Sequence, residues 1–136
     1  MEIGIIFTSD YQLITDFMRT TIKATNITHT NAIDSYLLKK LRELERVLEP
    51  KEKSELARIE IGELTKRHKS GEIFFAEITF HVKKKDFRAT AKGATLYEAI
   101  DAMQAMIVRE VKRHHELMRS ESKKGGRELK RRIARA

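Results

Sequence analysis

The chain has 136 residues, of which 40% are hydrophobic and 35% are charged, and it carries a formal net charge of +8. This length predicts one domain with a modest core, and the positive charge indicates a polyanionic partner, either a nucleic acid or an anionic membrane surface. The chain has no cysteine, which excludes disulfides, thiol catalysis and cysteine-based zinc sites.

Residues 1–17 contain three acidic residues and neither Lys nor Arg, so the excess positive charge lies elsewhere. This N-terminal extension lacks the basic segment of a signal peptide, and no run in the chain is as long as a membrane span, which favours a cytoplasmic protein. Two interpretations of the extension are open: a small element that docks on the domain, or a segment of little order. We favour the second, because Met18 would make a natural start.

A strand and a helix are predicted first. Residues 18–24 alternate apolar and polar side chains, as in a half-buried strand. Thr30 is a suitable N-cap for the helix, and Pro50 ends it. The helix has one apolar stripe, formed by Ile33, Leu37, Leu41, Leu44 and Leu48. Acidic and basic residues balance on its other face, which is therefore predicted to be only solvated.

Three strands follow, over residues 56–64, 73–83 and 87–93, and each alternates apolar with polar residues. Gly71 suits the first connecting turn, and residues 84–86 are predicted to form the second, tight turn. Strands that alternate so regularly form a sheet with one covered face and one solvated face.

The last predicted helix spans residues 94–119, where Thr95 and Glu98 form a capping box. Its apolar stripe consists of Leu96, Ile100, Met103, Ile107, Val111, His114 and Met118. The second half is basic and continues into residues 120–136, which contain two adjacent glycines and few apolar residues. We expect this basic tail to be mobile in the free protein and able to form a helix on a partner.

The predicted fold is therefore α+β, in the order β-α-β-β-β-α, with a four-stranded mixed sheet and both helices packed on one face. The predicted organisation has three parts: an N-terminal extension (residues 1–17), an α/β domain (residues 18–119) and a basic tail (residues 120–136).

Patterns typical of catalytic or metal sites are missing from the sequence. The serines lie in turns and in the tail, without a nucleophile elbow, and no His-Glu-x-x-His motif occurs. His114 and His115 would point about 100° apart on a helix, so they would not bind one metal together. His114 is predicted to pack partly buried and the other histidines to be exposed. We therefore predict no catalytic residue, no metal and no cofactor.

Lysine and arginine recur at positions that face away from the apolar stripes. Their potential sums where acids do not compensate them, and few aromatic residues are available on the open sheet face for base stacking. Contacts with backbone phosphates are the expected use of these cations. The predicted nucleic-acid-binding residues are Lys23, Lys83, Lys84, Lys85, Arg88, Lys92, Arg109, Lys112, Arg113, Arg119, Lys123 and Lys124.

Two stretches resemble signatures of the ribosome hibernation promoting factor and ribosome-associated inhibitor family, also called sigma-54 modulation proteins. The first, an IT…I..Y…KL..L pattern, is matched by Ile27, Thr28, Ile33, Tyr36, Lys40, Leu41 and Leu44. The second is similar to D-M-Y-x-A-I-D, with Thr95 and Leu96 in place of Asp and Met. The resemblance covers residues 18–119 and is to the short form of the family.

The resemblance implies a non-enzymatic hibernation factor that inhibits translation in stress or stationary phase. It would bind the small ribosomal subunit at the decoding region, in the mRNA channel and the A and P tRNA sites, and its basic residues would contact small-subunit rRNA. Arg109 and Arg113 match basic family positions, whereas Met106 replaces a commonly basic residue. No membrane or small-molecule partner is implied, and the protein is expected to be monomeric off the ribosome.

Two other functions are open. A general double-stranded RNA- or DNA-binding module would bind free duplex as well as it binds ribosomes. A protein-interaction regulator would bind its partner in a way that is insensitive to salt, unlike a nucleic-acid-binding protein.

Overall fold

A computed structural model of the protein describes residues 8–14, 19–28, 30–49, 52, 56–64, 73–82 and 84–135. In these ranges the elements, in chain order, are β1 (Thr8–Ile14), β2 (Arg19–Thr25), α1 (Asn31–Val47), β3 (Leu56–Glu63), β4 (Phe74–Val82), β5 (Lys85–Gly93) and α2 (Leu96–Arg135). No helix in the described part of the chain combines the length and the apolar character that crossing a membrane requires.

The strands form one mixed sheet in the order β1-β2-β3-β4-β5. β2 and β3 are parallel, because α1 crosses over between them, and the other neighbouring strands are antiparallel. From β2 to α2 the order is β-α-β-β-β-α, so the predicted α+β fold is confirmed.

The sheet has one strand more than the four predicted. β1 pairs antiparallel with β2 along seven residues, from Thr8 opposite Thr25 to Ile14 opposite Arg19. For residues 8–14 the structure therefore corresponds to the interpretation that we disfavoured, a small element docked on the domain. The pairing satisfies backbone groups that β2 would otherwise present as a sheet edge. The remainder of the N-terminal extension, residues 1–7 and 15–17, lies outside the described residues.

Both helices cover the same face of the sheet. Leu41 of α1 and Ile107 of α2 pack together with Ile59 of β3 and Ile78 of β4, and all four side chains are buried. The alternate residues of β3 to β5 point to the opposite face, which is largely exposed and is called the open face below.

Both predicted helix caps are confirmed. The Thr30 hydroxyl accepts a hydrogen bond from the backbone N–H of Ile33 at 3.2 Å. In the capping box of α2, the backbone N–H of Glu98 donates to the Thr95 hydroxyl at 3.1 Å, and the backbone N–H of Thr95 donates to the Glu98 carboxylate at 3.2 Å.

The β4–β5 hairpin turns earlier than predicted. Val82 lies opposite Lys85, so two residues connect the strands and the expected turn at residues 84–86 is wrong. Lys85 consequently belongs to β5 and shares the helix-covered side of the sheet with Phe87.

Helix α2 continues to Arg135, beyond the predicted end at residue 119. Every residue from Glu116 to Arg135 is exposed, so this part extends from the domain. Gly125 and Gly126 each cost roughly 1 kcal/mol relative to alanine within a helix. Strong helix formers surround them, and Arg132 lies 3.8 Å from Glu128 one turn earlier, an arrangement that supports a helix.

Candidate nucleic-acid interface

Three cations lie together on the solvent side of α2. Arg109, Lys112 and Arg113 are all exposed, because Ile107 and Val111 on the opposite side are buried against the sheet. The three cations line a shallow depression together with Gln104, Ala105, Val108 and the acidic Glu116. The helix thus brings together three of the predicted nucleic-acid-binding residues.

The charge of this cluster is only weakly compensated. Arg113 lies 3.9 Å from Glu110, and both side chains are more than one third exposed, so the pair is loose and contributes little. Arg109 and Lys112 form no ion pair with any residue in the described part of the chain. Their positive potentials therefore add at the surface.

A second group of predicted residues lies on the open face of the sheet, where acids are interspersed. Arg88 donates a hydrogen bond to Glu77 at 2.9 Å, and the Thr90 hydroxyl donates to the same carboxylate oxygen at 2.7 Å. Burial alone would raise the pKa of Glu77, but these hydrogen bonds from Thr90 and Arg88 outweigh it and lower that pKa. The positive charge of Arg88 is thus largely compensated by the carboxylate of Glu77.

Lys23 on β2 and Lys92 on β5 are exposed on the same open face. Glu60, which accepts a hydrogen bond from Thr25 at 2.9 Å, lies opposite Lys23 in the β2–β3 register. The open face therefore carries a mixture of charges rather than a field of one sign.

A third group gathers at the β4–β5 hairpin, on the helix-covered side of the sheet. Lys84, Lys85 and Arg119 line one depression with Met118, and the Lys85 ammonium lies 5.7 Å from the centre of the Phe87 ring. Lys83 lies outside the described residues. The predicted residues Lys123 and Lys124 follow along α2 and are exposed.

The predicted residues therefore do not form one patch. α2 lies on the covered face of the sheet, so its solvent side points away from the open face. The densest uncompensated group is the one on α2, and it continues along the same helix into the residues beyond the domain.

Sequence reasoning missed one pair beside these cations. Nε2 of His115 lies 2.5 Å from Oε1 of Glu52, which also accepts a hydrogen bond from the backbone N–H of Glu49 at 2.9 Å. Burial raises the pKa of Glu52, but the hydrogen bonds from Glu49 and His115 outweigh it, so the pKa of Glu52 is lowered. His115 was predicted to be exposed, and this is wrong, since only 13% of its side chain is accessible.

The sequence spacing of His115 indicates that this residue is partly buried. His115 follows the buried Val111 by four residues, which places it on the flank of the covered stripe. His114, in contrast, packs as predicted and lies 5.5 Å from the Phe87 ring, centre to centre. The ligand atoms of Glu49, Glu52 and His115 lie within 4.8 Å of one another, close enough to surround a metal ion, but Glu52 Oε1 is already engaged by hydrogen bonds.

Comparison with known proteins places the fold and these residues in context. The sequence model of the sigma 54 modulation protein / S30EA ribosomal protein family matches residues 20–119. The chain belongs to this family. All predicted nucleic-acid-binding residues except Lys123 and Lys124 fall inside the matched region.

The solved structures that resemble the protein include a bacterial domain and a bacterial interface protein. The N-terminal domain of Protein Y from Thermus thermophilus is 27% identical, with a TM-score of 0.54 over 74% of this chain and 99% of that one. A ribosomal subunit interface protein from Coxiella burnetii has the same TM-score over 73% of this chain and 94% of its own, but at 13% identity it shows the fold alone. No curated protein sequence matches the chain.

Proposed function

We propose that the protein is a ribosome hibernation factor that binds the small ribosomal subunit at the decoding region. In this proposal it contacts rRNA through basic residues of α2 and occupies the mRNA channel and the A and P tRNA sites. Membership of the sigma 54 modulation protein / S30EA ribosomal protein family supports association with the ribosome. The finer assignment of subunit and site rests on the resemblance to the family signatures, and the choice of contacting residues rests on the charge distribution.

The observation that carries the proposal is the exposed group Arg109, Lys112 and Arg113. These side chains cover two successive turns of one helix and face the same solvent region. Three cations on a rigid element bind phosphates of a folded RNA without needing to read its bases. The depression that they line could accommodate a convex segment of RNA backbone.

The proposed mechanism is obstruction and involves no chemical step. A sheet with two helices on one face is a compact, rigid body, so it excludes mRNA and tRNA from any channel that it occupies. Such inhibition requires only that the protein stays bound to the ribosome for longer than mRNA or tRNA takes to arrive. The inhibition reverses when the protein dissociates.

Reversing the three charges tests the proposal. The variant Arg109→Glu with Lys112→Glu and Arg113→Glu is expected to lose co-sedimentation with purified small subunits at low salt, because attraction to phosphate becomes repulsion. Wild-type binding is expected to weaken steeply as salt rises. Inhibition of translation in an extract should be lost together with binding.

A matched control is available on α1, where Lys39, Arg42 and Arg46 are likewise three exposed cations within about two turns of one helix. Reversing these three charges changes the net charge equally and should leave most of the subunit binding in place. Loss of binding in both variants, or in neither, would contradict the assignment to α2. A general duplex-binding protein would instead bind free RNA duplex as tightly as it binds small subunits.

A further inference from the structure

The end of α2 forms a separate cationic element. Residues 120–135, called the overhang below, are helical and exposed throughout, and they extend about 24 Å at 1.5 Å per residue. The overhang carries seven Lys or Arg and two Glu, a net charge of +5. All of these residues lie beyond the region that matches the family.

The cations of the overhang continue a line that begins on the domain. At about 100° of rotation per residue, the members of this line fall within an arc of about 120° of the helix surface. We call this line the basic ridge; its members are Arg109, Lys112, Arg113, Arg119, Lys123, Arg127 and Lys130. It runs for about 32 Å along the helix axis, and Glu116 is the one acid within it.

Acidic residues are kept off the ridge in the overhang. Glu121 and Glu128 are seven residues apart and share a flank with Glu110. Glu128 lies 4.0 Å from Arg131, which borders the ridge, and 3.8 Å from Arg132, which is outside it. Within the described residues, the ridge cations of the overhang have no ion pair.

We propose that the overhang is a second RNA-binding element, whose part of the basic ridge lies across the phosphates of a double-stranded RNA segment. This inference rests on the proposed function and adds to it a contact that the globular domain does not make. The element would act as a rod that binds backbone phosphates, with no sequence preference of its own.

Double-stranded RNA fits this surface better than other occupants. The overhang contains no aromatic residue, so it cannot stack on the bases of a single strand. A rigid line of cations matches the regular phosphates of a duplex, which proteins recognise largely through shape and backbone contacts.

The residues on the opposite side of the overhang argue against two other partners, a lipid bilayer and a second copy of the chain. Its apolar residues are Leu129 and Ile133, which are 59% and 66% exposed, and Gly125 lies on the same stripe one turn earlier. This stripe is too small to hold the helix in a bilayer. A second copy packed along it would bring together two helices of charge +5, which repel each other.

Fluorescence anisotropy with a labelled RNA hairpin of about 16 base pairs, a length that spans successive grooves, tests the inference on the full chain. The variant Arg127→Gln with Lys130→Gln removes two ridge cations and should weaken binding about tenfold at moderate salt. The slope of log affinity against log salt should fall by roughly 1 to 2, because two phosphate contacts are lost. A single strand of equal length should bind more weakly than the hairpin.

The control variant Arg132→Gln with Arg135→Gln removes the same charge from the other side of the overhang, and its affinity should stay within about threefold of wild type. Equal losses in both variants, no loss in the ridge variant, or equal binding of single strands would each overturn the inference. Circular dichroism establishes that both variants keep the helix. Ribosome binding is tested separately: if that hypothesis is wrong, the wild-type protein will not sediment with small subunits.

Discussion

Nε2 of His115 lies 2.5 Å from Oε1 of Glu52, and this contact ties the middle of α2 to the segment that follows α1. The two side chains are 13% and 8% exposed, so solvent screens the contact only slightly. The backbone N–H of Glu49 donates to the same oxygen. The pair therefore fixes the position of α2 just before the helix leaves the domain.

Replacing Glu52 by glutamine should lower the free energy of unfolding at neutral pH by about 2 kcal/mol, since hydrogen bonds to charged groups are worth about 1.5–3 kcal/mol. Chemical denaturation measures this loss. Glu121→Gln, the same change at an exposed position of α2, should alter stability by less than about 0.5 kcal/mol. Equal stability of the two variants would show that the buried pair contributes nothing.

The contribution of Glu52 should also depend on pH. Its pKa is lower in the folded protein than the usual 4.5, so its stabilising effect is complete above the unfolded-state pKa and is lost as the pH falls through the folded value. The difference in unfolding free energy between wild type and Glu52→Gln should therefore shrink on acidification below about pH 4.5. A difference that grows over this range would contradict the direction of the shift.

Tyr36 on α1 joins α2 through a hydrogen bond from its hydroxyl to Asp101. This bond is the main reason why the pKa of Tyr36 is raised above 10.0, so the stabilisation is present below pH 10 and is lost as the pH rises through the folded value. An absorbance titration of wild type should show a phenol that ionises late, and Tyr36→Phe should abolish that step. Tyr97→Phe, which removes the ring 4.9 Å away, should leave the step in place. A late step that survives in Tyr36→Phe would assign it elsewhere.

Two glycine-to-alanine changes should act in opposite directions. A Cβ at Gly62 would lie 2.4 Å from the Thr25 carbonyl oxygen and 2.8 Å from Cε1 of Phe75, so Gly62→Ala should destabilise the protein by about 1–3 kcal/mol. At Gly125 a Cβ would meet nothing within 4 Å, so Gly125→Ala should increase the far-ultraviolet helical signal, in line with the roughly 1 kcal/mol advantage of alanine. A reduced helical signal in Gly125→Ala would argue against a continuous α2.

Removing residues 1–17 tests whether β1 belongs to the folded domain. Without β1, β2 becomes a sheet edge with unpaired backbone groups, and exposed edges promote association. We expect the unfolding free energy to fall by roughly 1–3 kcal/mol and larger species to appear in size-exclusion chromatography. A truncation of residues 1–7 keeps β1 whole and serves as the control. A shortened chain that starts at Met18 and behaves like wild type would make β1 dispensable.

The sequence predicted the elements whose signals are local. Alternation in β3, β4 and β5 and the stripes of both helices depend on nearby residues alone, and the caps at Thr30 and Thr95 are motifs of four residues. β1 was not recognised, because a short edge strand becomes stable only through its non-local partner, β2. The length of α2 was underestimated because two glycines and the end of the core stripe both resemble a helix end.

The sequence predicted which basic residues belong to the candidate site, but not how they are arranged or which acids pair with them. A turn at residues 84–86 would have placed Glu77 opposite Gly93, whereas the observed register places Glu77 opposite Thr90 and beside Arg88. The compensation of Arg88 was therefore invisible until the register was known. Glu52 and His115 are 63 residues apart, and no local pattern links them.

The position of β5 at the margin of the sheet has a consequence for how two molecules meet. Among the described residues, no strand pairs with its outer edge, and its side chains include Lys85, Asp86, Arg88 and Lys92, all exposed. The same margin of a second molecule would be repelled, because most of these charges are positive in both molecules. Pairing would also require the desolvation of each charged side chain. Charged margins of this kind disfavour edge-to-edge pairing, so we expect this margin to resist addition of a strand from a second chain.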